Sequence, residues 1–142
     1  MAGKKILIVD DDPLNRNLLK EVFIRKGHEM ELAENGKVAI QLLQSHTFDL
    51  LFTDMKMPEK SGLDVLHFVK KHHPQTIVII MTAYGSVEDA VEAMKKGAFH
   101  YLIKPFSLEA LEAIFERAEQ HLSLVKENQY LREEISSSVI RH

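Results

Sequence analysis

The sequence of 142 residues contains no cysteine, and it also lacks any long apolar run. Without cysteine the chain has no disulfides, no thiolate zinc site and no cysteine nucleophile. No apolar run approaches the roughly 18 residues of a membrane span, and the basic start "MAGKK" leads to a short apolar run and then to acids, unlike a signal peptide. The formal net charge of −3 gives no overall attraction to nucleic acid. These absences predict a cytoplasmic protein that contacts neither a membrane nor nucleic acid directly.

Five short apolar segments alternate with segments of helical periodicity. The segments predicted as strands lie at 6–9, 28–33, 48–52, 77–81 and 98–103. Those at 6–9, 48–52 and 77–81 are nearly unbroken apolar runs, as expected for strands covered on both faces. Strands that alternate with helices form a parallel sheet with helices on both faces. The sequence therefore predicts an α/β fold with a doubly wound, five-stranded parallel sheet.

The predicted helices have recognisable ends. Asp12 can cap the first helix, with Pro13 in its first turn and Gly27 at its end. Ser86 can cap the fourth helix, and Gly97 can end it. Helical spacing also predicts an inward-facing apolar stripe on the fourth helix, which consists of Val87, Ala90, Val91 and Met94.

Charged and hydroxyl side chains follow four of the predicted strands. They are Asp10, Asp11 and Asp12 after the first strand, Thr53 and Asp54 after the third, Thr82 after the fourth, and Lys104 after the fifth. The carboxyl ends of parallel strands meet at one edge of the sheet, where ligands bind in such folds. Asp12 alone is explained as a helix cap, but a cap needs one acid and does not account for three acids opposite a lysine. The whole set therefore predicts a functional site.

The chemistry that this set predicts is phosphoryl transfer to a carboxylate. Asp54 would be the nucleophile and would form an acyl phosphate. The negative charges of the carboxylates and of the phosphoryl group need neutralising, which a hard divalent cation such as Mg²⁺ does through oxygen ligands. Lys104 would supply a further positive charge, and Thr82 would supply a hydroxyl donor. Such a site acts by positioning and electrostatics.

Four motifs in the chain resemble the receiver domain of two-component response regulators. They are "VDD", "DMKMPEKSG", "MTAYG" and "YLIKPF". The resemblance covers residues 4 to about 120 and implies a flavodoxin-like (βα)5 fold with strand order 2-1-3-4-5. It also implies that a sensor histidine kinase donates the phosphoryl group. A receiver domain catalyses only its own phosphorylation and dephosphorylation and is not otherwise an enzyme.

The resemblance assigns the acceptor and the metal ligands by position. Asp54 corresponds to the phosphoacceptor of the family. Asp10 and Asp11 correspond to the metal pair, with Asp11 binding Mg²⁺ directly and Asp10 chiefly through water. Asp54 completes the metal site together with the backbone carbonyl of Lys56.

The resemblance also assigns the remaining catalytic and switch residues. Lys104 and Thr82 correspond to the residues that contact the phosphoryl group, and the peptide bond between Lys104 and Pro105 is expected to be cis. Thr82 is in addition the switch hydroxyl, and Tyr101 is the switch aromatic residue. The side chains of Lys56 and Tyr84 are expected to influence the lifetime of the acyl phosphate.

The stretch "MTAYGSVEDAVEAMKKGAFHYLIKPF" is similar to receivers of the NtrC-like class, which control sigma-54-dependent transcription activators. In that class a helical linker joins the receiver to an ATPase domain and a DNA-binding domain. The resemblance therefore implies that the chain is a piece of a longer regulator, although a stand-alone regulator is the alternative.

Helical periodicity continues beyond the last element that a receiver needs. We expect a receiver domain at 1–120 and a helical linker at 121–142, the start of a coiled coil toward an absent output domain. The expected seam consists of Ile114, His121, Leu124, Asn128, Leu131 and Ile135. A homodimer would form through this helix, through the face made by the fourth helix, fifth strand and fifth helix, or through both. A solvated helix without a partner is the alternative.

Two other functions are compatible with parts of the pattern. A Mg²⁺-dependent phosphohydrolase would also form an aspartyl phosphate, but its usual signature has a second acid two residues after the nucleophile, where this chain has Lys56. A dimerisation scaffold that is never phosphorylated would not require the complete acidic set. The sequence favours a phosphorylation switch over both.

Overall fold

The computed structural model describes residues 3–83 and 86–140, with the backbone alone at 126 and 128–140. Strands and helices alternate along these residues. They are β1 Lys5–Val9, α1 Pro13–Arg25, β2 Glu29–Ala33, α2 Gly36–Ser45, β3 Leu50–Asp54, α3 Gly62–His72, β4 Ile77–Ala83, α4 Val87–Lys95, β5 His100–Lys104 and α5 Leu108–Ile140.

The strands form one parallel sheet with the order β2-β1-β3-β4-β5. This confirms the α/β class and the flavodoxin-like order that the resemblance implies. The order reverses between β1 and β3, because the chain leaves β1 for β2 on one side and reaches β3 on the other. In open α/β sheets such a reversal leaves a crevice beyond the carboxyl ends of the two strands. The residues that follow β1 and end β3 therefore share one crevice.

Both faces of the sheet are covered by apolar side chains. On one face, Leu51 and Ile80 pack in a cluster with Leu43 of α2, Leu66 of α3 and Ala93 of α4. On the other face, the ring of Phe23 in α1 lies 5.2 Å from the ring of Phe52 in β3, measured between centroids. Burial on both faces explains why the central strands are continuous apolar runs.

The third strand lies two residues later than the predicted segment 48–52. The reason is local, because Asp49 makes hydrogen bonds that end the preceding loop. Its carboxylate accepts a hydrogen bond of 2.9 Å from the Lys5 backbone N–H, and its own N–H donates to the Lys5 carbonyl at 2.8 Å. As a result Asp54 belongs to β3 and is paired in register with Met81 of β4.

Most of the predicted helix ends are confirmed. The Asp12 carboxylate accepts a hydrogen bond from the Leu14 N–H at 3.0 Å and caps α1. Gly27 and Gly97 follow α1 and α4 with φ of 85° and 106°, which is the left-handed region that favours glycine. Ser86 occupies the cap position of α4, but its side chain makes no capping hydrogen bond.

The predicted inward-facing stripe of α4 is wrong at three of its four positions. Ala90 is buried, and Ala93 joins it on the inner face. Val87, Val91 and Met94 instead line a groove of about 340 Å³ with Tyr101 of β5, and Val87 is 58% exposed. The small alanine side chains allow α4 to lie close to the sheet, which leaves the larger apolar side chains outside.

Helix α5 belongs to a second compact unit, which begins at Leu108, whereas the first unit ends at Ser107. Buried positions recur every three or four residues along α5 as far as Leu122, while Leu124 is 59% exposed. The side chains of Asn128, Leu131 and Ile135 lie outside the described residues. The coiled coil and the boundary at residue 120 stay predictions.

Within the described part of the chain, no helix combines the length and the apolar character that crossing a membrane requires.

Candidate functional site

Three aspartates meet where β1 and β3 end. Asp10 follows β1, Asp11 comes next in the loop, and Asp54 is the last residue of β3. One carboxylate oxygen from each lies within 4.8 Å of the other two. Asp10 is buried, Asp54 is half-buried and Asp11 is exposed, so the cluster opens to solvent on the side of Asp11. The structure brings the predicted acceptor and the predicted metal pair together at one sheet edge.

This oxygen set fits a small divalent cation. Two oxygens on opposite sides of Mg²⁺ lie about 4 Å apart, because each Mg–O bond is about 2.1 Å long. A spacing of up to 4.8 Å allows one ion that the three carboxylates contact directly or through water. Mutual repulsion of the three charges further favours a cation at this position.

Both carboxylate oxygens and the backbone carbonyl oxygen of Asp10 accept hydrogen bonds. Its side chain is fully buried. Oδ1 accepts a hydrogen bond from the Asp12 N–H at 2.9 Å, and Oδ2 accepts from Asn15 Nδ2 at 2.6 Å and from Lys104 Nζ at 2.7 Å. The backbone carbonyl accepts from Arg16 Nη1 at 2.6 Å. A buried carboxylate needs such partners. Here the first turn of α1 supplies one side-chain donor to the carboxylate, from Asn15, and one to the backbone carbonyl, from Arg16.

Lys104 ends β5 and contacts two carboxylates. Its Nζ atom lies 2.7 Å from Asp10 Oδ2 and 3.4 Å from Asp54 Oδ2. Burial lowers the pKa of Lys104, but the hydrogen bond to Asp10 and the charge of Asp54 outweigh burial, and the pKa is raised above its ordinary value. The ammonium is therefore charged at neutral pH. The peptide bond between Lys104 and Pro105 is cis, as the resemblance implies.

Asp54 has an unusually basic carboxylate. Burial raises its pKa from 3.8 to about 6, although Lys104 opposes this effect, and the nearby charge of Asp10 raises the pKa further. Oδ1 accepts a hydrogen bond of 2.9 Å from the Met55 N–H. A carboxylate that is poorly neutralised by its surroundings is a better nucleophile, and the same deficit of positive charge favours binding of a cation.

The loop after Asp54 returns to the site through Gly62. The Gly62 N–H donates to the Met55 carbonyl at 2.9 Å. A Cβ atom at Gly62 would lie 2.3 Å from the Asp54 carbonyl oxygen, so only glycine fits there without a shift of backbone. Ser61 and Asp64 form a capping box that fixes the start of α3 beside it. Gly62 thus holds the backbone of Asp54, the predicted acceptor, in place.

Thr82 and Tyr101 lie on neighbouring strands but point to different surroundings. Thr82 is buried, is paired in register with Ile103, and its hydroxyl donates to the Ser86 carbonyl at 3.4 Å. Tyr101 is half-buried and lines the groove beside α4. The switch roles of both residues stay predictions.

The side chain of Lys56 is directed toward α4. Its Nζ atom lies 3.7 Å from Asp89 Oδ2, and 81% of the lysine side chain is exposed. Such an exposed pair contributes little to stability. The role of the Lys56 backbone carbonyl as a metal ligand stays a prediction, and Tyr84 lies outside the described residues.

Sequence reasoning missed Asn15, Arg16 and Gly62. The spacing of Asn15 from Asp10 contained a usable signal, because side chains in the first turn of a helix point back toward its start. Gly62 had a weaker signal, since a glycine at the first position of a helix suggests close approach of another backbone. The partner atoms themselves follow from the tertiary structure.

Comparison with known proteins identifies a family model, the response regulator receiver domain, that matches residues 6–116. Regulatory protein AtoC of Escherichia coli strain K12 is 42% identical over 137 residues, which is 96% of this chain and 30% of AtoC. The DNA-binding transcriptional regulator NtrC of Azospirillum brasilense is 37% identical over 118 residues, or 83% of this chain and 24% of NtrC. The chain spans less than a third of the length of these relatives.

Solved structures agree with this match. The crystal structure of NtrX from Brucella abortus has a TM-score of 0.86 and 30% identity, over 92% of this chain and 30% of that chain. The crystal structure of a response regulator receiver domain protein from Clostridium thermocellum has a TM-score of 0.76 and 35% identity, over 85% of this chain and 98% of that chain.

Proposed function

Because the chain belongs to the response regulator receiver family, and its relatives include NtrC, we propose that it is a phosphorylation switch whose acceptor is Asp54. The donor is the phosphohistidine of a sensor histidine kinase. The observation that carries this proposal is the meeting of Asp10, Asp11, Asp54 and Lys104 at one sheet edge. Family membership also makes the chain a signalling domain rather than a conventional enzyme.

The proposed reaction forms one bond and breaks one. A carboxylate oxygen of Asp54 attacks phosphorus, the P–N bond of the phosphohistidine breaks, and the released imidazole takes up a proton. Asp54 becomes an acyl phosphate. Hydrolysis then adds water across the acyl phosphate and returns Asp54 as a carboxylate together with inorganic phosphate. Both steps need the negative charges around phosphorus to be neutralised.

Several groups of the site would neutralise these negative charges. Asp10, Asp11 and Asp54, with the backbone carbonyl of Lys56, would hold Mg²⁺, which supplies positive charge to the phosphoryl oxygens when bound. Lys104 would turn from Asp10 to the phosphoryl group, since its Nζ atom already lies 3.4 Å from Asp54 Oδ2. Thr82 would donate its hydroxyl to another phosphoryl oxygen.

The proposed switch starts at Thr82. When its hydroxyl turns to the phosphoryl group, it leaves the Ser86 carbonyl at the start of α4. Tyr101 then moves into the vacated space, which changes the groove that it forms with α4. The surface of α4, β5 and α5 would thereby shift toward a state that binds a partner.

We further propose that the output is transcription of the sigma-54-dependent type, in the cytoplasm. The chain would act within a longer regulator that carries an ATPase and a DNA-binding domain, and would dimerise through α5, through the α4–β5–α5 face, or through both. Sedimentation of the chain and of a version ending at residue 120 tests the contribution of α5. Loss of the dimer supports a coiled coil, and an undiminished dimer contradicts it.

Beryllofluoride with Mg²⁺ tests the switch directly, because it mimics a phosphoryl group on an aspartate. We expect the NMR resonances of Thr82 and Tyr101 to shift in the wild type, and Asp54→Asn to abolish these shifts. Phosphorylation by phosphoramidate, followed by mass spectrometry, should add one phosphoryl group to the wild type and none to the variant. An unphosphorylated wild type with unshifted resonances would contradict the proposal and favour a scaffold.

A phosphohydrolase is the second candidate that contains an aspartyl phosphate. Its general acid would occupy position 56, but the chain has Lys56 there, paired with Asp89. Sustained turnover of small phosphate esters would support a hydrolase. We expect slow phosphorylation and hydrolysis with phosphoramidate and no turnover of the esters.

A further inference from the structure

Asn15 and Lys104 donate hydrogen bonds to the same oxygen of the buried Asp10 carboxylate. Asn15 Nδ2 lies 2.6 Å from Asp10 Oδ2, and Lys104 Nζ lies 2.7 Å from the same atom. Lys104 Nζ also lies 3.4 Å from Asp54 Oδ2, so it contacts two carboxylates. The amide, in contrast, has its shorter bond to Asp10 and a long contact of 3.6 Å to the sulfur of Met81.

We propose that Asn15 is a positioning residue that frees Lys104 for the phosphoryl group on Asp54. When Lys104 turns away, Asp10 Oδ2 loses its charged donor while remaining fully buried. A buried acceptor left without a donor costs more free energy than the lost bond contributed. Asn15 keeps a donor on this atom, and it therefore lowers the cost of moving the lysine. This role rests on the proposed phosphorylation of Asp54.

The neutral amide suits this role better than a second cation would. It satisfies the hydrogen-bonding capacity of Asp10 without removing its negative charge, so Asp10 still attracts Mg²⁺. It also stays in place during the movement, because Asn15 lies in the first turn of α1, which begins at Pro13 behind the Asp12 cap. Without Asn15, Lys104 would be the only side-chain donor to Oδ2 among the residues that the structure describes, and Asp10 would hold it more tightly.

The test compares Asn15→Leu and Asn15→Ala with the wild type. Leucine keeps the approximate volume without a donor, and alanine guards against misfolding caused by the larger side chain. At saturating Mg²⁺, we expect the phosphoramidate phosphorylation rate to fall about 10-fold, as for loss of a hydrogen bond to a charged group. Asn17→Leu is the matched control, because Asn17 is exposed on the same helix, and its rate should equal that of the wild type.

A second readout separates positioning from a structural role. In ¹⁵N-labelled protein without phosphodonor, the ammonium protons of Lys104 should exchange with water more slowly in both Asn15 variants than in the wild type or Asn17→Leu. Unchanged exchange and an unchanged rate would overturn the inference. A rate that returns to the wild-type value at high Mg²⁺ would also overturn it, since Asn15 would then serve the metal. A wild type that is not phosphorylated contradicts the proposed function itself.

Discussion

The carboxylate of Asp54, the proposed acceptor, lies in a largely buried place. Its side chain is 15% exposed, and Lys104 Nζ is 3.4 Å away, which is too far for a strong ion pair. Burial therefore dominates and raises the pKa of Asp54 to about 6. The Asp54 carboxylate is destabilised as an anion in the folded chain, and a bound cation would relieve this. The proposed reactivity of Asp54 and its cost to stability would have the same physical origin, which is burial of the charge.

The contribution of Asp54 to the stability of the metal-free protein should fall as pH rises. The folded-state pKa of Asp54 is about 6 and its ordinary value is 3.8, so the folded state binds the proton more tightly. Its contribution is fully present below pH 3.8 and is lost as pH rises through 6. Asp54→Asn should raise the free energy of unfolding at pH 8 by about 2 to 3 kcal/mol and change little at pH 4. Urea unfolding in EDTA measures this, and equal stabilities at pH 8 would contradict it.

Gly62 is the residue whose replacement should affect both stability and chemistry. Gly62→Ala places Cβ 2.3 Å from the Asp54 carbonyl oxygen, which forces the acceptor backbone to move. We expect a loss of about 1 to 3 kcal/mol in the free energy of unfolding, together with slower phosphorylation by phosphoramidate.

Gly27→Ala is the control for Gly62→Ala. Gly27 has φ of 85°, but a Cβ there would meet nothing within 4 Å. Left-handed backbone strain should cost about 1 to 2 kcal/mol, and the phosphorylation rate should equal that of the wild type. If both variants lose stability equally and both keep the wild-type rate, Gly62 does not position Asp54.

At the scale of the elements, α4 buries small side chains and leaves larger apolar side chains exposed. Its buried residues are the small Ala90 and Ala93, while Val87 and Val91 are 58% and 48% exposed. Apolar periodicity alone could not separate the two sets, because a helix with apolar residues on two sides offers more than one candidate inner face. The choice depends on which side chains let the helix approach the sheet closely.

Substitutions on the two faces of α4 should change the free energy of unfolding by different amounts. Val91→Ser changes a groove-lining side chain and should alter the free energy of unfolding by less than about 0.5 kcal/mol. Ala93→Leu adds volume at a fully buried position and should cost about 1 to 3 kcal/mol. Urea unfolding of both variants measures the difference. A larger loss in Val91→Ser than in Ala93→Leu would show that the inner face was assigned incorrectly.

Helix α1 illustrates how one element serves both folding and function. The Asp12 carboxylate caps it at 3.0 Å from the Leu14 N–H, which is a local role. Asn15 and Arg16, in its first turn, contact Asp10 at 2.6 Å each, which links the helix to the site. Three consecutive aspartates therefore divide into one cap and two members of the carboxylate cluster.

At the scale of the whole molecule, charge repulsion at the sheet edge should make the fold sensitive to divalent cations. Asp10, Asp11 and Asp54 have oxygens within 4.8 Å of one another. Binding of Mg²⁺ to the folded state alone stabilises it by mass action. We expect millimolar Mg²⁺ to raise the melting temperature by roughly 2 to 5 °C, as measured by circular dichroism at constant ionic strength.

Two variants separate specific binding from screening. Asp11→Asn removes a member of the cluster and should abolish most of the Mg²⁺ response. Asp12→Asn removes a charge one residue later, outside the cluster, and should retain the response, since asparagine also caps helices. An unchanged melting temperature in the wild type, or equal responses in the two variants, would contradict a metal site made by Asp10, Asp11 and Asp54.

The sequence by itself determined the type and order of the elements, most of their ends, and the residues that reach the sheet edge. These features depend on neighbours in the chain: apolar periodicity, the Asp12 cap, and glycines where φ is positive. Polar side chains that follow parallel strands lie at one edge of any such sheet, which is why Asp10, Asp54 and Lys104 were predictable as a set.

Only the tertiary structure decided which of these residues contact one another. Lys104 and Asp10 are 94 residues apart in sequence, and Lys104 Nζ reaches Asp10 at 2.7 Å, closer than it is to Asp54. The same packing puts Asn15 on the oxygen that Lys104 contacts, Gly62 against the Asp54 carbonyl, and the larger apolar side chains of α4 on the outside. Distances between distant segments decide these choices, and local sequence patterns do not contain them.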